Sequence, residues 1–242
     1  MDRLIYTALT GMRARSAAQT VTANNLANAN VTGFRREMSS LASRYLAGPE
    51  GSARVQADDA VTSASTEPGH ISPTGQPLDV AVAGPGWIAV QAADGGEAYT
   101  RRGDLRVAPT GVLETGDGHP VIGNSGVITL PAGEPGIAAD GSVSVRLPGA
   151  AASAVIDHIR LVNPPPAELR KDSAGLFRAA AAPDADPAVR LQTQALEGSN
   201  VDSARGLVEL IEQSRGFDVS AKLLSATRDI DEAGARLMRL DN

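Results

Sequence analysis

The chain contains no cysteine. Neither a disulfide framework nor a thiolate metal site can exist, and the redox compartment cannot be read from its residues. Aromatic residues make up only 3%, so a core must be built from Val, Leu, Ile and Ala rather than from rings. No run of about 18 apolar residues occurs, which excludes a helix of spanning length and hydrophobicity. The opening MDRLIYTALTGMRARS lacks the continuous apolar stretch of a cleavable secretory signal. Positive charge is in deficit as well. With 22 basic against 28 acidic residues the net charge is −6, which argues against nucleic-acid binding through overall electrostatics. His70, His119 and His158 stand apart, with no second ligand three or four residues away. A G-x-S-x-G nucleophile elbow is missing. No catalytic residue, metal site or cofactor is expected.

Proline is absent from both ends. All fifteen prolines fall between Pro49 and Pro187. Proline inside a helix costs about 3 kcal/mol, so two long proline-free ends predict helices. Of the 25 glycines, 16 lie in residues 69–149, where tight turns require them. Short Val/Ile/Leu runs alternate there with turn signals. LDVAVAG and WIAVQ are followed by Asp94-Gly95-Gly96 and AYTRRGDLRV, with further turns at Thr110-Gly111, Gly116-Asp117-Gly118, Asn124-Ser125-Gly126 and Asp140-Gly141. Val155–Val162 and Leu176–Ala180 are the last strands expected. The fold class is therefore α+β: long terminal helices around an antiparallel, β-rich middle resembling a barrel or a sandwich. The expected division is a terminal helical part (residues 1–34 with 200–242), an extended connector (35–75 with 181–199) and a β-rich domain (76–180).

The N-terminal stripe runs through Leu4, Ile5, Ala8, Leu9, Met12, Ala18, Val21 and Leu26. The C-terminal end repeats apolar or small residues in steps of three and four, through Leu207, Leu210, Ser214, Phe217, Ala221 and Leu224. After a one-residue shift, Leu223, Thr227, Ile230, Gly234 and Leu237 continue it. Such a repeat is that of a coiled coil, and with Ile211 these residues are the expected assembly surface. The ends differ in charge: six arginines against two acids in residues 1–46, eight acids against six bases in 201–242. Arms of opposite sign favour pairing, weakly.

One motif points elsewhere. Gly84-Pro85-Gly86-Trp87-Ile88-Ala89 satisfies G-x-G-x-x-A after a strand. A dinucleotide site needs a helix N-terminus at that loop, and WIAVQ reads as another strand. A small-molecule-binding β domain with helical arms is thus the alternative from a different class.

Three blocks carry more information than any single residue. Val21–Arg36, VTANNLANANVTGFRR, gathers Asn24, Asn25, Leu26 and Asn28 ahead of Gly33 and Phe34, where a helix is expected to end. The middle reads PLDVAVAGPGW and AYTRRGDL, with Gly84, Gly86, Trp87, Tyr99, Arg101 and Gly103. The end reads ALEGSNVDSARG, with Leu196, Glu197, Ser199, Asn200 and Val201. In this order, the blocks resemble the signatures of the flagellar rod and hook axial proteins. Gly216 and Asp218 in RGFD depart mildly from that pattern. The opening MDRLIYTA, Trp87 and the chain length resemble proximal-rod members, with distal-rod and hook members as the alternative.

The resemblance implies a structural subunit of the flagellar basal body rather than an enzyme. It implies export without a cleavable signal through the flagellar type III apparatus, which would be one partner. The others would be further copies of the chain and other rod proteins, proximal and distal. In the periplasm the terminal helices would pack as a coiled-coil layer of the torque-transmitting rod, with no nucleic acid bound and no direct membrane insertion.

Overall fold

The computed structural model describes residues 2–40, 43–46, 54–57, 61–150, 152–172 and 174–240. The chain forms two compact units: Met1–Ala27 with Glu37–Ser63 and Asp202–Asn242, and Asn28–Arg36 with Ala64–Val201.

The first unit opens with α1 (Asp2–Ala27), then β1 (Glu37–Ser40), β2 (Ser43–Leu46), β3 (Arg54–Ala57) and β4 (Val61–Ala64), whose last residue falls in the second unit. Strand β1 pairs with β4 and β2 with β3. Helix α1 stops at Ala27, where the asparagine-rich block begins its turns. The chain's last helix, of 38 residues, covers Ser203–Leu240 and belongs to this unit. Asp202 caps it, its Oδ1 accepting from the N–H groups of Ala204 (2.9 Å) and Arg205 (3.1 Å).

The second unit is β-rich. Its strands, in order, are β5 (Ile71–Pro73), β6 (Val80–Ala83), β7 (Trp87–Gln91), β8 (Glu97–Thr100), β9 (Leu105–Val107), β10 (Leu113–Thr115), β11 (Ile122–Gly123) and β12 (Gly126–Val127). Then come β13 (Glu134–Ile137), β14 (Ser142–Arg146), β15 (Ala154–His158), β16 (Leu161–Val162), β17 (Leu169–Lys171), β18 (Phe177–Ala179), β19 (Arg190–Thr193) and β20 (Ala195–Glu197). The long helix Ser203–Leu240 is α2.

The largest sheet is open and five-stranded, in the order β16-β7-β8-β18-β17, with antiparallel neighbours. Both its faces are covered. Alternate residues of WIAVQ separate accordingly: Ile88 and Val90 join the main apolar cluster, while Trp87 and Ala89 join a second one with Tyr99, Val162 and Phe177. The Trp87 and Phe177 rings lie 4.3 Å apart.

Two expectations need correction. Among the described residues no barrel closes, because strands of two to five residues cut by glycine and proline turns cannot carry a continuous ladder round one. Strands also continue past Leu176–Ala180, the last one expected: β19 pairs with β6, and β20 with β5. The short apolar pieces of RLQTQALE alternate in burial once a partner strand lies beside them. The coiled-coil layer is taken up below as a proposal.

Candidate functional site

The three sequence blocks meet inside the β-rich unit. Period-two alternation in β20 turns Ala195 and Glu197 inward, and Glu197 ends fully buried at 0% exposure. Its Oε1 accepts from Arg35 Nη2 at 2.6 Å and from the Gly69 N–H at 2.8 Å, and its Oε2 from Arg101 Nη1 at 3.2 Å. Arg35 and Arg101 are themselves 1% and 4% exposed. Arg101 also donates to the carbonyls of Val82 (3.2 Å) and Gly84 (2.7 Å), and its guanidinium lies 5.4 Å from the centre of the Trp87 ring. Burial pulls Arg101 below the ordinary guanidinium pKa; Glu197 opposes that pull and the Arg35 charge adds to it.

Backbone contacts lock the same junction. The Gly33 N–H donates to the Glu197 carbonyl at 2.7 Å. Gly33 has φ +68° and lies flat on the Arg101–Arg102 backbone, where any Cβ would overlap it. Gly103 is equally constrained, since its Cβ would fall on the Val80 carbonyl oxygen. Asn200 Oδ1 accepts from the Arg36 N–H at 2.6 Å, and its Nδ2 donates to the Glu67 carbonyl at 2.8 Å. Lys171 Nζ lies 3.9 Å from the centre of the Phe34 ring and donates to the Arg35 carbonyl at 3.2 Å.

In the helical unit, Asn25 makes a reciprocal pair with Glu37: its Nδ2 donates to the Glu37 carbonyl (2.7 Å), and its Oδ1 accepts from the Glu37 N–H (2.8 Å). Asn25 is buried, whereas Asn24 is exposed and Asn28 half-buried. Of the other motif residues, Gly86, Trp87 and Tyr99 are buried, Gly84 is exposed, and Leu196, Ser199 and Val201 are half-buried. The G-x-G loop leads into strand β7, with Gly86 pressed against Val189. A pyrophosphate would therefore meet no helix N-terminus there.

The helices pack through a face that includes small and polar residues. Gly206 approaches Leu26, Gln213 Nε2 donates to Thr22 Oγ1 at 3.0 Å, and Gly216 sits against Arg15. The order reverses along the two chains, so α1 and α2 run antiparallel. Residues 206, 213 and 216 lie on one face of α2, and half-buried Leu210 and Phe217 of the expected stripe share it at helical spacing. Leu207, Val208, Ile211 and Val219 are instead 49–60% exposed. Leu9 is exposed too, while Met12, Val21, Leu26, Leu210 and Phe217 are half-buried. The side chains of Leu4, Ile5, Leu224, Ile230 and Leu237 lie outside those described.

Sequence reasoning missed Arg35 as the second cation, the Gly69 donor and the Asp202 cap. A signal existed for the first: a glutamate on the inward face of an apolar strand demands a buried cation.

Nothing at this junction resembles a catalytic constellation. An open groove of about 720 Å³ elsewhere in the unit has Asp79 and Arg106 as its charged lining. They are engaged by Thr74 (2.6 Å) and Glu114 (2.7 Å) respectively. Among the described residues, no group of His, Asp and Glu could hold a metal, and no helix is long and apolar enough to cross a membrane. The chain combines a β-rich unit knit by a buried ionic junction with long helical ends.

Comparison makes this specific. The profile for "Flagella basal body rod protein" matches residues 5–35, "Flagellar hook protein FlgE/F/G D1 domain" matches 81–145, and "Flagellar basal body rod FlgEFG protein C-terminal" matches 192–237. The flagellar basal-body rod protein FlgF of Salmonella typhimurium is 38% identical over 99% of this chain and 98% of its own. FlgF of Escherichia coli is 39% identical over 95% of both chains, and the rod protein FlgG of Agrobacterium fabrum is 31% identical over 94% of this chain and 96% of its own. The chain belongs to the flagellar basal-body rod protein family, whose members are structural and not enzymes.

Proposed function

We propose that the chain is a FlgF-type subunit of the proximal rod, exported without a cleavable signal by the flagellar type III apparatus. It polymerises in the periplasm with its own copies and other rod proteins through its terminal helices. The observation that carries this reading is the exposed apolar ridge Leu207, Val208, Ile211 and Val219 on α2. The intrachain contact uses the face around Gly206 and Gly216, which leaves the exposed ridge for a neighbouring subunit in a coiled-coil layer. Identity of 38–39% to the two FlgF proteins, against 31% to the FlgG protein, supports the FlgF type.

The test uses the absence of native cysteine. Single cysteines at Leu207, Ile211 or Val219 should crosslink between subunits in isolated rods, and a cysteine at Arg106 in the β-rich unit serves as comparison. Ile211→Asp should leave the protein folded and stop rod growth in a strain deleted for its own relative. Normal rods with Ile211→Asp would remove the terminal helices from the assembly.

A further inference from the structure

We propose that the buried junction is an anion site, in which a small monovalent anion of the chloride class sits against Arg35 and Arg101 and completes the pairing that Glu197 begins. Two guanidiniums share one carboxylate, so the cluster of Arg35, Arg101 and Glu197 carries one positive charge too many. All three side chains are buried. Burying a charge without its counter-charge is expensive, and buried donors are almost always hydrogen-bonded. Yet Arg35 Nε, Arg35 Nη1 and Arg101 Nε are fully buried and have no hydrogen-bond acceptor among the described residues. Lys171 Nζ donates to the Arg35 carbonyl and offers no acceptor to these N–H groups.

Size and charge select the ligand. Side-chain exposures of 0%, 4% and 0% for Arg35, Arg101 and Glu197 leave no path for a peptide carboxylate or a lipid headgroup. Water would satisfy the N–H donors and leave the charge unbalanced. A halide does both, because it accepts several N–H bonds without directional demand. Of the three side chains Glu197 alone is negative, and its two oxygens are taken by Arg35 Nη2 and Arg101 Nη1.

The anion stabilises only the folded unit, so the melting midpoint should depend on which anion is present, not merely on ionic strength. The full chain is melted in potassium chloride and in potassium gluconate at equal ionic strength, followed by the fluorescence of Trp87. Chloride at a hundredfold excess over its dissociation constant should raise the midpoint by about 5–10 °C. Bromide should substitute, and crystals grown in bromide should show an anomalous peak within hydrogen-bond distance of Arg35 Nε or Nη1. In Arg35→Met the cluster is neutral, so the chloride dependence should vanish. Equal midpoints in the two salts, or ordinary water at the site in bromide crystals, would overturn the proposal, as would chloride dependence persisting in Arg35→Met. Should Arg35→Met fail to fold, the bromide crystals of the unaltered chain decide alone.

Discussion

Glu197→Gln keeps the size and shape of the side chain and removes its charge. In the native junction the carboxylate accepts from two buried guanidiniums and one backbone N–H. The amide leaves Arg35 and Arg101 facing each other across a neutral group, with 1% and 4% of their surface in contact with solvent. Breaking a buried ion pair by removing one partner costs about 3–5 kcal/mol, because the remaining charge stays buried. Single domains are stable by about 5–15 kcal/mol, so this one atom exchange removes about a fifth or more of a typical reserve. At a urea slope of about 2 kcal/mol/M the unfolding midpoint should fall by about 1.5–2.5 M. The chain's single tryptophan, Trp87, is buried beside Arg101 and reports on this unit. Glu114→Gln is the matched control. It breaks the Arg106–Glu114 pair, in which Arg106 is 59% exposed, and should cost about 0–1 kcal/mol. Equal costs for the two variants would refute the view that the buried junction holds the three blocks together.

Gly103→Ala places a methyl on the Val80 carbonyl and should cost at least about 1–3 kcal/mol by the same fluorescence assay; a neutral outcome would show that the two segments separate freely. Asn25→Ala strips the Glu37 N–H and carbonyl of their partner and should lower the helical melt, read by circular dichroism, by about 1–3 kcal/mol. Burial, with Glu97 beside it, raises the Tyr99 phenol above the usual tyrosine pKa. Its contribution is present below about pH 10 and is lost as pH rises further, since the unfolded phenol ionises first. An absorbance titration of the folded chain should accordingly show one of its three tyrosines ionising late. Finally, amides of α1 and α2 should exchange with deuterium faster in the isolated subunit than those of β7 and β8, and equal protection would refute a weak helix pair.

The helices and many of the turns were legible because their signals are local. Proline exclusion, the asparagine cluster before Gly33 and the Asp94-Gly95-Gly96 turn each act within a few residues. WIAVQ was equally readable, since a continuous apolar run of four residues, Trp87 to Val90, fits a strand covered on both faces. What local pattern could not supply was pairing at long range. Strand β19 lies about 110 residues from β6 in sequence, and RLQT has one buried residue to betray it. The junction fell between these cases. Its members, Arg101 and Glu197, stood out as parts of blocks, but their meeting depends on three chain segments closing on one another. Arg35 was hidden by its neighbour Arg36, because two consecutive arginines look alike until one is found buried and the other half-exposed.

Helix α2 shows why an apolar spacing does not fix which residues the chain's other helix touches. Leu207, Leu210, Phe217 and Leu224 follow a coiled-coil spacing, and a coiled coil inside one chain would bury them against α1. Helix α1 approaches Gly206 and Gly216, where the missing side chains let two backbones come close, and Leu210 and Phe217 are half-buried beside them. Close approach along glycines gives good van der Waals contact but little hydrophobic burial, roughly 25 cal/mol for each Å² of apolar surface covered. The intrachain pair is consequently thin, while Leu207, Val208, Ile211 and Val219 keep 49–60% of their surface in water. A helix of 38 residues with its best apolar surface uncovered gains most of its stability from whatever covers that surface. Spacing of apolar residues thus does not by itself name the contact. Gly206 and Gly216 mark the one the chain makes with itself, and Leu207, Val208, Ile211 and Val219 stay exposed beside it.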